Sequence, residues 1–150
     1  MSLQEKVMTE MKTAMRAKDT NKLEALRAVK SAILLANTNA DGKDGMNEDE
    51  ELKLLQKLVK QRKESAAIYK EQGRDDLAQP ELDQAAVIEQ FLPEQMSEEE
   101  IEAKVDEIIE RTGASGMQDM GKVMGAASQE LAGKADGKTI SSIVKKKLAQ

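Results

Sequence analysis

Apolar residues recur at three- and four-residue steps through nearly the whole chain, and nowhere do they alternate strictly as in a half-buried strand. Leu3, Val7, Met11, Ala14 and Met15 form the first stripe, opened by a Ser2–Glu5 capping box and ending near Lys18. Leu23, Leu26, Val29, Ile33 and Ala36 mark a second helix over 20–37. Residues 37–46 hold Asn, Asp and two glycines and read as a loop. Asn47 with Glu50 caps a long third helix, whose first turn, Glu48-Asp49-Glu50-Glu51, suits the positive end of a helix dipole. Gly73 stops it after Gln72. A short helix is expected between Pro80 and Phe91, because proline is accepted in a first turn.

The chain then stops and restarts. Pro93 precedes Ser97-Glu98-Glu99-Glu100, another capping box, and Ile101, Val105, Ile108 and Ile109 carry the next helix to Gly113. Met117, Met120, Val123, Met124, Ala127 and Leu131 share one face of a further helix. A turn over 133–138 leads to a last helix bearing Ile140, Ile143, Val144 and Leu148. With one Phe, one Tyr and no Trp, any core is Leu, Ile, Val, Met and Ala, the material of helix-on-helix packing. The fold class is therefore all-α. An N-terminal domain, 1–93, should hold about four helices, one of them long, and a small three-helix bundle should occupy 94–150, near the lower size limit for independent folding.

The chain has neither His nor Cys. Nucleophile–histidine triads, imidazole bases, disulfides and thiolate metal sites are thereby excluded, and acid–base chemistry would fall to carboxylates, Lys or Tyr. A metal would have to be a hard cation held by oxygens. The only stretch with a passing likeness to a calcium loop, Asp41-Gly42-Lys43-Asp44-Gly45, lacks the ligand ladder and reads as a flexible turn. No metal or cofactor is expected. Gly116, Gly121 and Lys122 approach a phosphate-binding P-loop, but Val123 stands where a hydroxyl should ligate magnesium. The preceding residues, Ile108-Ile109-Glu110-Arg111-Thr112, end a charged helical run rather than a buried strand. The N-terminus offers no continuous apolar stretch, so a cytoplasmic protein without a membrane partner is expected.

A net charge of −5 argues against a general nucleic-acid coat, and DNA is not an expected partner. The charge is nonetheless partitioned. Residues 52–74 carry +5, residues 81–110 carry −10, and residues 111–150 carry +4. The basic blocks are either solvated faces or phosphate contacts. Lys53, Lys57 and Lys60 share one face of the long helix, and Arg74 follows its end. Arg62 falls near the core seam, where it either covers the core edge with its methylenes or grips an anion. Gly121 and Gly125, four apart beside the Met-rich face, each cost about 1 kcal/mol of helix stability relative to Ala. Such a cost is tolerated where another surface comes close, either a neighbouring helix or a ligand. Met117 and Met120 pack in a core or offer adaptable contacts to a partner protein.

Several segments carry a resemblance. Residues 57–77 (Lys-Leu-Val-Lys-Gln-Arg-Lys-Glu-Ser-Ala-Ala-Ile-Tyr-Lys-Glu-Gln-Gly-Arg-Asp-Asp-Leu), Phe91-Leu92-Pro93-Glu94-Gln95-Met96-Ser97, residues 113–125, Ala135-Asp136-Gly137, and Lys22-Leu23 with Leu26-Arg27 together resemble the GatB/YqeY family over nearly the whole chain. That family includes the tail of the B subunit of glutamyl/aspartyl-tRNA amidotransferase and free-standing proteins consisting of little more than the tail. The resemblance implies a helical N-terminal domain joined to a three-helix C-terminal one, and an accessory tRNA-binding module without an autonomous active site. Two alternatives accompany it: a subunit contributing to carbon–nitrogen ligase activity with glutamine as amido-N-donor, and a protein–protein adaptor. Lys60, Arg62, Arg74, Gly121, Lys122, Gly125, Lys134 and Lys138 are the candidate RNA-binding residues. The implied partners are tRNA, amidotransferase subunits or an aminoacyl-tRNA synthetase. Scarcity of aromatics disfavours base stacking and suits recognition of A-form RNA by shape.

Overall fold

The computed structural model describes residues 1–39 and 45–149, and among these it contains seven α-helices, one short 3-10 turn and no strand. The helices are α1 (Leu3–Arg16), α2 (Thr20–Thr38), α3 (Glu48–Glu71), α4 (Asp75–Glu89), α5 (Glu98–Thr112), α6 (Met120–Glu130) and α7 (Gly137–Leu148). Residues 40–44 of the loop expected over 37–46, and with them most of the turn at 41–45, lie outside the described residues. The all-α expectation holds because the capping and stripe signals are local. Ser2 and Ser97 each accept a hydrogen bond from the backbone N–H three residues on, and Glu5 and Glu100 each reach back to the cap residue's own N–H. Asn47 caps α3 through the Glu50 amide at 2.8 Å.

The chain divides into two compact units, Met1–Leu92 and Pro93–Gln150. In the first, Val7, Ala14, Ala25, Leu26, Val29, Ile33, Leu55, Val59, Ala85 and Ile88 form a buried cluster, with Phe91 and Leu92 packed on its edge. The broadest helix pairing is α3 against α4. Gly73 makes it possible: with φ +71° it takes the left-handed conformation that turns the chain back on itself, and Arg74 N–H then bonds the Tyr69 carbonyl at 2.8 Å.

One boundary differs from expectation. Helix α4 does not begin at Pro80 but five residues earlier, at Asp75, so the proline lies inside it. Proline lacks only one N–H, whose acceptor would have been the Asp76 carbonyl in the first turn. Burial of Ala78 ahead of the proline, the bonds from the Leu77 and Ala78 amides to the Arg74 carbonyl, and a bond from Asn21 Nδ2 to the Pro80 carbonyl at 3.2 Å hold the extra turn.

In the second unit Ile101, Val105 and Ile108 of α5 meet Val123 and Ala127 of α6, Leu131 and Ala135 of the following turn, and Ile140, Ile143, Val144 and Leu148 of α7. Gly113 closes α5 at φ +70°. The stretch before α6 is a single 3-10 turn, Met117–Asp119, so the expected Met-rich helix starts at Met120 and Met117 stays outside it. A helix, not a strand, leads into Gly116, which removes the strand–loop–helix geometry that a P-loop needs.

Because each unit has a core of its own, residues 93–150 alone should give helical circular dichroism and a single cooperative thermal transition, of modest midpoint for their size. A random-coil spectrum would refute independent folding.

Candidate nucleic-acid interface

The basic residues are not equally available, because several are already committed within the fold. Arg62 is half-buried on α3: its Nε donates to Gln84 Oε1 at 3.2 Å and its Nη1 to the Leu58 carbonyl at 3.1 Å. Gln84 in turn donates to Asn21 Oδ1 at 2.8 Å, so Arg62 is one member of a polar seam joining α2, α3 and α4. Arg74 grips Asp76 with two bonds of 3.0 Å, and that contact holds the Asp76 carboxyl below the usual range. Lys60 is exposed and has no ion-pair partner among the described residues. Lys60 and Arg62 are two residues apart and therefore point to different sides of α3, and Arg74 lies beyond its end. The three do not converge on one point.

In the second unit the candidates fall into two groups along α6. Gly121, at the start of α6, and Gly125, at its middle, are exposed on a face continued by Ser128 and Gln129. A methyl group placed on either glycine would meet nothing within 4 Å. Neither glycine packs against a neighbouring helix of its own bundle, so helix packing does not account for them. Lys122 beside them turns toward the end of α5, donating through Nζ to the Thr112 carbonyl at 3.1 Å. It thereby satisfies one of the carbonyls a helix leaves unpaired at its C-terminus.

Lys134 and Lys138 lie past the other end of α6. Lys138 stands in the first turn of α7, and the turn that carries Lys134 is held by Met96 N–H, which bonds the Lys134 carbonyl at 2.9 Å, and by Gln95 Nε2, which bonds the Gly133 carbonyl at 2.7 Å. Both lysine side chains are exposed and have no ion-pair partner among the described residues. Along the axis of the eleven-residue α6, Gly121 lies about 14 Å and Gly125 about 8 Å before Glu130 at 1.5 Å per residue. The candidates are thus spread along α6 and beyond its C-terminal end.

Other charges in this unit serve its architecture. Arg111 clasps Glu130 with bonds of 3.0 and 2.7 Å, which draws the Glu130 carboxyl below its ordinary range, and Lys147 pairs with Asp106 at 3.3 Å. Met120 and Met124 pack on the core, while Met117 remains 43% exposed. Ser128 and Gln129 escaped the sequence reading, though their spacing from Gly121 and Gly125 places them on the same face. No cluster of carboxylates arranged to hold a metal ion occurs among the described residues, and no described helix is long and apolar enough to cross a membrane.

Comparison with known proteins adds relationship to this geometry. The family model for Yqey-like protein matches residues 4–148. The E subunit of glutamyl-tRNA(Gln) amidotransferase from Thermococcus gammatolerans is 39% identical over 75 residues, covering 47% of this chain and 12% of that protein. Altered inheritance of mitochondria protein 41, mitochondrial, is 40% identical over 85 residues in Meyerozyma guilliermondii, covering 55% of this chain and 42% of that protein. Its counterpart in Clavispora lusitaniae is 33% identical over 108 residues, covering 71% and 62%. The matches span less than two thirds of the length of each of these relatives.

The open glycines generate a stability test. Gly125→Ala should stabilise α6 by about 0.5–1 kcal/mol, because it removes backbone entropy from a helix interior without touching a neighbour. A lower melting temperature for this variant would show that the glycine is packed after all.

Proposed function

The chain belongs to the Yqey-like protein family, and on that footing we propose that it is an accessory tRNA-binding module without an active site of its own. The observation that carries this reading is the pair Gly121 and Gly125, exposed on α6 with no intramolecular reason to lack side chains. A bare helical backbone lets a ribose–phosphate chain approach within van der Waals distance, and Lys134 and Lys138, beyond the C-terminal end of α6, supply uncommitted charge. An extended, aromatic-free surface suits a polymer read by backbone shape and 2′-hydroxyls better than a small ligand, which needs enclosure. Kinship with one chain of a glutamyl-tRNA(Gln) amidotransferase makes tRNA the RNA of choice. It also makes the other subunits of such an enzyme, or an aminoacyl-tRNA synthetase, the protein partners to try.

Amide transfer itself would have to be performed by those partners. The chain lacks His and Cys, and its Gly116–Lys122 motif follows a helix. The purified protein is accordingly expected neither to hydrolyse glutamine nor to consume ATP, and glutaminase activity that copurifies with it through successive columns would move the ligase-subunit reading to first place.

Binding is tested by retardation of bulk tRNA across a salt series. Lys134→Ala with Lys138→Ala should weaken retention at low salt, at unchanged melting temperature. The slope of log affinity against log salt should fall by roughly one for each phosphate no longer neutralised. Gly121→Leu should weaken retention by obstruction, with no loss of stability. Lys122→Ala is a less clean probe, because it also uncaps α5. Affinity of the double lysine variant equal to that of the parent would defeat this placement of the RNA surface.

A further inference from the structure

The first unit carries a feature that the RNA reading does not use. Helices α1 and α2 enclose an open groove of about 720 Å³, whose lining includes Met1, Val7, Met8, Ile33 and Leu34. Val7 and Ile33 form its buried floor, while Met8 and Leu34, 39% and 50% exposed, form its apolar walls. Exposed apolar side chains of this size beside one cavity are the usual mark of an interaction surface, and unbranched methionines adapt to the shape of what they meet.

The charge around the groove specifies its occupant. Lys12 of α1 and Lys30 of α2 line it, and neither has an ion-pair partner among the described residues. Arg16, one turn beyond Lys12, and Arg27, one turn before Lys30, are exposed and likewise unpaired among the described residues. The single carboxylate in the lining, Glu5, is occupied by the capping box, accepting from the Ser2 amide at 2.8 Å. Two parallel-walled helices with an apolar floor and cationic flanks match the way a third helix is gripped, through residues at three- and four-residue spacing.

We propose that the α1–α2 groove is a docking site for an amphipathic helix of a partner protein, with leucine-like side chains on the buried face and carboxylates on the flanks. Opposite charges orient the incoming helix and exclude basic ones, and burial of Met8 and Leu34 supplies the affinity.

The test uses the full chain, isotopically labelled, titrated with a synthetic helical peptide that carries leucines at three- and four-residue spacing and glutamates alongside. Resonances of Met8, Lys12, Lys30 and Leu34 should shift saturably. Lys12→Glu with Lys30→Glu, both exposed substitutions, should weaken the glutamate peptide by about tenfold or more and strengthen a lysine-bearing version of it. Leu34→Glu should abolish binding of the glutamate peptide without lowering the melting temperature. The proposal is overturned by equal binding of both peptides to the parent chain, by shifts confined to other residues, or by no saturable shift. It is equally overturned if phosphatidylserine vesicles, or concentration of the chain alone, perturb these resonances while the peptide does not; the first result would assign the groove to an anionic membrane surface, the second to another copy of the chain.

Discussion

Close approach of helices through alanine is the constraint on which this architecture turns. Ala14, Ala25, Ala66, Ala78 and Ala85 are all at most 1% exposed, spread over the four helices of the first unit. With so few aromatics, no large ring is available to span a gap between helices, and interior packing density has to come from short distances. An alanine at a contact brings two backbones together, and the larger Leu, Ile and Val on either side then interdigitate. The left-handed turn at Gly73 is part of the same solution, because a longer connection would let α3 and α4 separate.

Polar side chains follow from that packing. A helix pair this close leaves room at its edge for flat or slender groups, and Arg62, Gln84 and Asn21 occupy that position as a chain of donors and acceptors. Arg74 and Arg111 are each taken by a carboxylate, and Lys122 by a helix-end carbonyl. Part of the basic character visible in the charge count is therefore taken up within the fold. Among the candidate residues, Lys60, Lys134 and Lys138 have no ion-pair partner among the described residues, a distinction that follows from hydrogen-bond geometry rather than from charge density.

Most of the fold could be read from residue order because its determinants are local. The capping boxes at Ser2 and Ser97, the Asn47 cap and the stops at Gly73 and Gly113 act within one helical turn, and each appears where the pattern implied. The start of α4 escaped because it is set by tertiary contacts: Ala78 is buried by the rest of the unit, and Asn21, 59 residues away, bonds the Pro80 carbonyl. The candidate site was legible only as a set of residues without an arrangement. Whether Arg62 meets Gln84 or a phosphate, and whether Gly121 meets a helix or open space, are questions of long-range position that spacing along one helix does not encode. Ser128 and Gln129 could have been added by extending the Gly121–Gly125 spacing one further turn.

The two surfaces differ in the physics of what they would hold. Under the RNA proposal, attraction of the α6 surface and its lysines to a polyanion would come mainly from counterion release and fade steeply as salt rises. The α1–α2 groove is lined by methionine, isoleucine and leucine, and removal of apolar area from water is nearly indifferent to moderate salt; only the orienting contribution of Lys12 and Lys30 would be screened. Neither surface requires the other to be occupied, since each is built from the helices of one compact unit. Under the two proposals the chain would bring a nucleic acid and a protein together through chemically unlike faces, and neither face calls on the nucleophile–histidine machinery that a chain without His and Cys cannot supply.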